Sequence, residues 1–147
     1  LLAAFETDLQ VMPGVTDVLD QIKVPWCVAT SSSPPRVNRS LEIVGLAQRA
    51  AGRIFTASEV AQGKPAPDLF LHAARQMGVD PTRCLVIEDS LTGIRAGLAA
   101  GMKVWRFTGA SHLKGHPLTR PADAIPTLEF ASFADFFHLD GAMRAKL

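Results

Sequence analysis

Residues 84–107 read CLVIEDSLTGIRAGLAAGMKVWRF, and the pattern within them switches from strand to helix and back to strand. Leu85, Val86 and Ile87 make a short apolar run. Ser90 or Asp89 can cap a helix from Leu91 to Ala100, Gly101 stops it, and Lys103 to Phe107 is a second strand. Strands that alternate with helices predict a parallel sheet covered on both faces. The first of these strands ends in two adjacent acids, Glu88 and Asp89. They repel one another, and burial disfavours their charged forms, so a neutralising cation is expected beside them.

The same alternation extends upstream. Met12-Pro13-Gly14 reads as a turn, and Val15, Val18, Leu19 and Ile22 then recur at the spacing of an amphipathic helix of about two turns. Val24 to Thr30 is an apolar run with Pro25 early enough for a strand's first residues, and it predicts a buried strand. Ser31-Ser-Ser-Pro-Pro35 supplies a capping hydroxyl and prolines for the first helical positions, followed by Val37, Leu41 and Val44 on one face, with Gly45 as the stop. Arg53 to Thr56 is a short strand. After a polar loop, Pro67 and Asp68 open a helix whose apolar face is Leu69, Phe70, Ala73, Ala74 and Met77.

Beyond Thr108 the pattern weakens into a loop rich in Gly, Pro and His, with a short strand expected around Ala124-Ile125. A last helix over 130–139 is expected to turn Phe133, Phe136 and Phe137 inward. No repeat, low-complexity tract or linker divides the chain, so residues 1–147 are read as one α/β domain.

Composition narrows the function classes. The 147 residues are 48% hydrophobic and 20% charged, and fifteen Lys and Arg against fourteen Asp and Glu leave a net charge of +1. The basic residues are scattered, so charge gives no support for nucleic-acid binding. No apolar run approaches the roughly 18 residues of a membrane span, and LLAAF is too short for a signal peptide, so a cytoplasmic protein without membrane contact is expected. Cys27 and Cys84 lie in apolar runs with no metal-ligand spacing around them, as suits free thiols in a reducing compartment.

In an open parallel sheet, ligands bind beyond the carboxyl ends of the strands. Thr30 with Ser31, Lys64, and Glu88 with Asp89 all fall at or near such ends. Singly, each has a plain explanation: Thr30 to Ser33 as a capping run, Lys64 as a solvated lysine in a proline-stiffened turn, Asp89 as a helix cap with Glu88 exposed. Jointly, a hydroxyl with backbone amides, an ammonium and two carboxylates suit a magnesium-dependent phosphoryl-transfer site. Lysine and amides bind the phosphate dianion, and hard oxygens hold Mg2+.

In their order, Ala29-Thr30-Ser31, then GKPAPD over 63–68, then L-V-I-E-D-S-x-x-G-I-x-A-G-x-x-A-G-M over 85–102 resemble the haloacid dehalogenase-like hydrolase superfamily, in its β-phosphoglucomutase-like phosphatase branch. The resemblance implies a Rossmann-like fold and a monomer acting on a small phosphorylated metabolite. It implies that the Thr30 hydroxyl and Ser31 amide bind the phosphoryl group. Lys64 would neutralise nucleophile and phosphate, and Glu88 and Asp89 would hold magnesium directly or through water. The loop TGASH over 108–112 also resembles loops of that branch.

One part of the family's pattern is not found. Members carry an early D-x-D motif on the first core strand, whose first Asp attacks phosphorus and whose second acts as acid and base. This sequence has no D-x-D. The expectation is therefore a C-terminal portion of a longer protein, with the central strand and helical cap missing except for the cap's last turn over residues 1–10, and no turnover by the chain alone. The alternative expectation is a non-catalytic phosphate-binding or regulatory fragment.

Overall fold

A computed structural model describes residues 2–3, 14–110 and 113–139. In chain order the elements are β1 (Leu2–Ala3), α1 (Val15–Gln21), β2 (Cys27–Thr30), α2 (Pro34–Ile43), α3 (Ala47–Ala50), β3 (Ile54–Thr56), α4 (Asp68–Met77), β4 (Leu85–Glu88), α5 (Leu91–Ala99), β5 (Lys103–Phe107) and β6 (Leu128–Phe130). The strands form one sheet in the order β3-β2-β1-β4-β5-β6, and every pairing is parallel. The α/β reading therefore holds, and the unit over residues 84–107 is a parallel crossover.

Alternation along each strand sends neighbouring side chains to opposite faces, which divides the core in two. Val28, Leu85, Ile87, Trp105 and Phe107 face one side, where α1, α2 and a one-sided aromatic cluster of Phe130, Phe133 and Phe136 cover them. Cys27, Ala29, Val86 and Val104 face the other, beneath Leu69, Phe70 and Ala73 of α4 and Ile94 of α5. Close contact between α5 and the sheet depends on Gly97, because a Cβ there would lie 2.7 Å from Val104 Cγ2.

The centre of the sheet differs from the expectation. Leu2 pairs with Cys27 on one side and Val86 on the other, and Ala3 pairs with Val28 and Ile87. The slot expected to be missing is thus filled by two residues of this chain, which give the backbone groups of β2 and β4 the ladder partners that buried strands need. Leu2 and Ala3 are strand rather than cap helix; residues 4–10 lie outside the described residues.

Two boundaries also move near the C-terminal end. The strand expected at Ala124-Ile125 begins at Leu128 instead, after Thr127 N–H donates to Val104 O at 2.7 Å, while Ala124 is buried beneath the α4 and α5 face. Pro126 lacks an N–H, which prevents a regular ladder through the earlier segment. The final helix is a 3-10 turn over Phe133–His138. Three residues per turn bring Phe133 and Phe136 onto one face, where both are buried, and leave Phe137 half-buried.

Candidate functional site

β2 and β4 end on the same edge of the sheet, and the loop before α4 returns to that edge. This places the predicted residues. Thr30, the last residue of β2, is buried, and its Oγ1 accepts from the Ser32 N–H at 3.1 Å. Ser31 follows it at the exposed mouth, before the N-terminus of α2. Ser33 occupies the cap position of α2 without making a side-chain capping bond, so capping does not account for the polar run.

Lys64 is not a solvated lysine. Its side chain is 5% exposed, and its Nζ donates to Glu88 Oε1 at 2.7 Å and to Ala29 O at 3.3 Å. The Phe70 ring of α4 lies 4.9 Å from the same nitrogen. Glu88 is 1% exposed rather than a solvated strand end. Its second oxygen accepts from the Ser90 N–H at 3.1 Å and from Ser90 Oγ at 2.8 Å, and Ser90 Oγ in turn accepts from Gly93 N–H at 3.1 Å as the cap of α5. The cation that makes the acidic pair tolerable is therefore Lys64, acting on Glu88. Asp89 stands next to it, buried at 8% exposure, and Ser90 rather than Asp89 caps the helix.

The energetic asymmetry of such a pair is large. A buried ion pair contributes little net stability against an apolar replacement, but removal of one partner leaves the other charge uncompensated at a cost of about 3–5 kcal/mol. Keeping the pair here means keeping an ammonium fixed at the carboxyl edge. A fixed cation beside the ends of β2 and β4 is equipped to receive an anion.

Two adjacent carboxylates, Glu88 and Asp89, lie buried at this edge. Among the described residues no cluster of three or more His, Cys, Asp or Glu is assembled. The donor set is nevertheless suitable for magnesium, which takes one or two carboxylates and completes its shell with phosphate oxygens and water. Glu88 has both oxygens engaged by Lys64 and Ser90, so its part in holding an ion would run through water.

Burial pushes the Cys27 thiol up to about 12 and raises Cys84 as well, which disfavours the reactive thiolate at both. Both cysteines are free. His72 is half-buried, its ring perpendicular to that of Phe55 at 5.6 Å and its Nε2 3.2 Å from Glu59 Oε1. In the loop over 108–112, Ser111 and His112 lie outside the described residues.

Two participants were not singled out as site residues from sequence. Ser90 was read only as a cap, and Phe70 only as core. A further buried charge lies outside the cluster. Arg106 is the register partner of Glu88 and is 3% exposed; its Nη1 donates to Thr119 O at 2.7 Å and lies 3.7 Å from Glu129 Oε1. A charge inside KVWRF was the available signal, since a buried arginine needs partners.

A doubly covered parallel sheet with its polar cluster at the carboxyl edge defines the class: an α/β protein of the ligand-binding kind described by strand-end sites. The chain belongs to the haloacid dehalogenase-like hydrolases, whose family description matches residues 1–101. It is 37% identical over 108 residues to hexitol phosphatase A of Escherichia coli, covering 70% of this chain and 49% of that protein. It is 41% identical over 139 residues to a probable pseudouridine-5'-phosphatase of Drosophila melanogaster, covering 86% and 56%. A hydrolase of this family from Deinococcus radiodurans, solved with bound phosphate and sodium, superposes with a TM-score of 0.76 at 34% identity, covering 92% of this chain and 60% of that one. Relatives include sugar phosphatases and β-phosphoglucomutase-like proteins. The chain spans about half the length of the curated relatives it matches.

Proposed function

We propose that the protein carrying this chain is a magnesium-dependent phosphatase or phosphomutase of small phosphorylated metabolites, with sugar phosphates the favoured substrate class. The observation that carries this reading is the buried Lys64 ammonium, fixed between Ala29 O and Glu88 where β2 and β4 end. The Thr30 hydroxyl and the Ser31 amide lie at the end of the same strand and are suited to bind phosphate oxygens, while Lys64 offsets the charge that accumulates as phosphorus is attacked. Asp89 would hold magnesium, assisted by Glu88 through water. When bound, the ion would supply a Lewis acid that draws charge from the phosphoryl oxygens. The sugar-phosphate names of several relatives support the substrate class. The attacking Asp and the acid-base Asp, which would form and resolve an aspartyl-phosphate, belong in this reading to polypeptide outside the sequence given, whose strand would take the central position that Leu2–Ala3 fills here. A cytoplasmic location is part of the same proposal.

The test is release of inorganic phosphate by the full-length protein from a panel of sugar phosphates and mononucleotides, with and without magnesium. Magnesium-dependent release from a sugar phosphate, lost in Lys64→Ala, is expected. No release from any member of the panel, or undiminished release by Lys64→Ala, contradicts the reading.

A further inference from the structure

Lys64 serves an anion best if its long, flexible side chain is held in place before the anion arrives, because ordering such a chain at the moment of binding weakens affinity. Glu88 supplies the principal contact, yet Glu88 is itself a flexible side chain at a strand end. Something must fix its rotamer.

We propose that Ser90 and Gly93 are positioning residues that hold Glu88 in the one orientation that fixes Lys64. The proposal rests on the phosphate-binding reading of Lys64 and adds to it two residues that act through another group. The Ser90 oxygen accepts from Gly93 N–H at 3.1 Å, and its proton goes to Glu88 Oε2 at 2.8 Å, a carboxylate oxygen that can only accept, with the Thr92 hydroxyl farther off at 3.3 Å. The Ser90 N–H donates to the same oxygen at 3.1 Å. With Oε2 held by two donors, Oε1 is turned to Lys64 at 2.7 Å.

Gly93 makes the arrangement possible by having no side chain. A Cβ at that position would lie 2.0 Å from Glu88 Cδ, and 2.1 and 2.4 Å from its two oxygens. The carboxylate therefore occupies the volume that any other residue would fill. Gly93 and Ser90 stand three residues apart on the first turn of α5, so one helix start both binds Glu88 and makes room for it. The Ala29 carbonyl and the Phe70 ring complete the environment of the ammonium.

A plain alternative is that Ser90 is only a helix cap. Three variants separate the two roles. Ser90→Ala loses the cap and the hydroxyl bond to Glu88 and keeps only the backbone N–H donor. Ser90→Asp keeps a favoured cap acceptor, but its side chain cannot donate to Glu88 and repels it. Ser90→Thr keeps both.

The readout is the acetylation rate of the Lys64 amine by a water-soluble N-hydroxysuccinimide ester, followed by peptide mass spectrometry and normalised to the exposed Lys23. Melting curves report folding, and calorimetric titration with inorganic phosphate reports binding. The expected result is about a tenfold rise in Lys64 labelling in Ser90→Ala and Ser90→Asp, the factor that corresponds to loss of a charge-assisted hydrogen bond of about 1.4 kcal/mol. Ser90→Thr should label like the wild type, and phosphate affinity should fall in the two variants that label faster. Wild-type labelling in a folded Ser90→Asp protein overturns the proposal and leaves Ser90 as a cap. A wild type that binds no inorganic phosphate contradicts the functional reading instead, and the labelling pattern still decides whether Ser90 holds Glu88.

Discussion

Replacing Lys64 by Met removes the ammonium and keeps most of the apolar stem over Phe70. Glu88 then retains the two Ser90 donors but has lost its cation. The pair's side chains are 5% and 1% exposed, so solvent does little to screen the loss. Breaking a buried pair from one side costs about 3–5 kcal/mol, a large part of the roughly 5–15 kcal/mol that holds a domain together. With a urea m-value of about 2 kcal/mol/M, a 4 kcal/mol loss lowers the unfolding midpoint by about 2 M. Adding Glu88→Gln to Lys64→Met removes the uncompensated charge, so the double variant should recover most of the loss. Equilibrium urea unfolding of the wild type, both single variants and the double variant checks this. A Lys64→Met penalty below about 1 kcal/mol, or two single penalties that simply add, would refute a tightly coupled buried pair.

Two further outcomes follow from the fold. Gly97→Ala forces a methyl toward Val104 Cγ2, 2.7 Å from the position of the new Cβ, and overpacking of this kind should cost about 1–3 kcal/mol by urea unfolding. The Cys27 thiol, raised by burial from 9.0 to about 12, stays protonated in the folded chain at pH values where the unfolded chain has lost that proton. The unfolded state then binds fewer protons, so this contribution to stability is fully present below about pH 9 and falls by up to about 1.4 kcal/mol per pH unit toward pH 12. Comparison of urea midpoints for the wild type and Cys27→Ala between pH 8 and 10 checks the sign, because only the wild type should carry this extra slope.

The strand-helix-strand unit over residues 84–107 was legible because its punctuation is local. Ser90 caps, Gly101 stops, and the apolar runs on either side match strand lengths. The same reasoning found α1, α2 and α4. It missed the central strand because Leu2-Ala3 is too short to show a period, and its pairing with β2 and β4 is a long-range event that no local pattern reports. It placed the last strand early because Ala124 and Ile125 look as apolar as Leu128 and Phe130, and only the Thr127 to Val104 hydrogen bond sets where the ladder begins.

The site was legible as a set of charges and partly legible as geometry. Thr30, Lys64, Glu88 and Asp89 could be grouped because all lie at or near strand ends in a parallel sheet. That Lys64 faces Glu88 could not be read, since 24 residues separate them and only the crossover connections bring them to 2.7 Å. The role of Gly93 was equally hidden. A glycine in a helix's first turn shows its purpose only once a carboxylate is seen in the space its side chain would have filled.

The proposed function requires this edge of the sheet to hold phosphate through Lys64 and magnesium through Asp89. The most direct measurement is a calorimetric titration of the purified protein with inorganic phosphate, with and without magnesium, repeated on Asp89→Asn. Magnesium should strengthen phosphate binding in the wild type, and Asp89→Asn should lose this enhancement while keeping the metal-free affinity. A wild type that binds no phosphate, or an enhancement by magnesium that survives in Asp89→Asn, would contradict it.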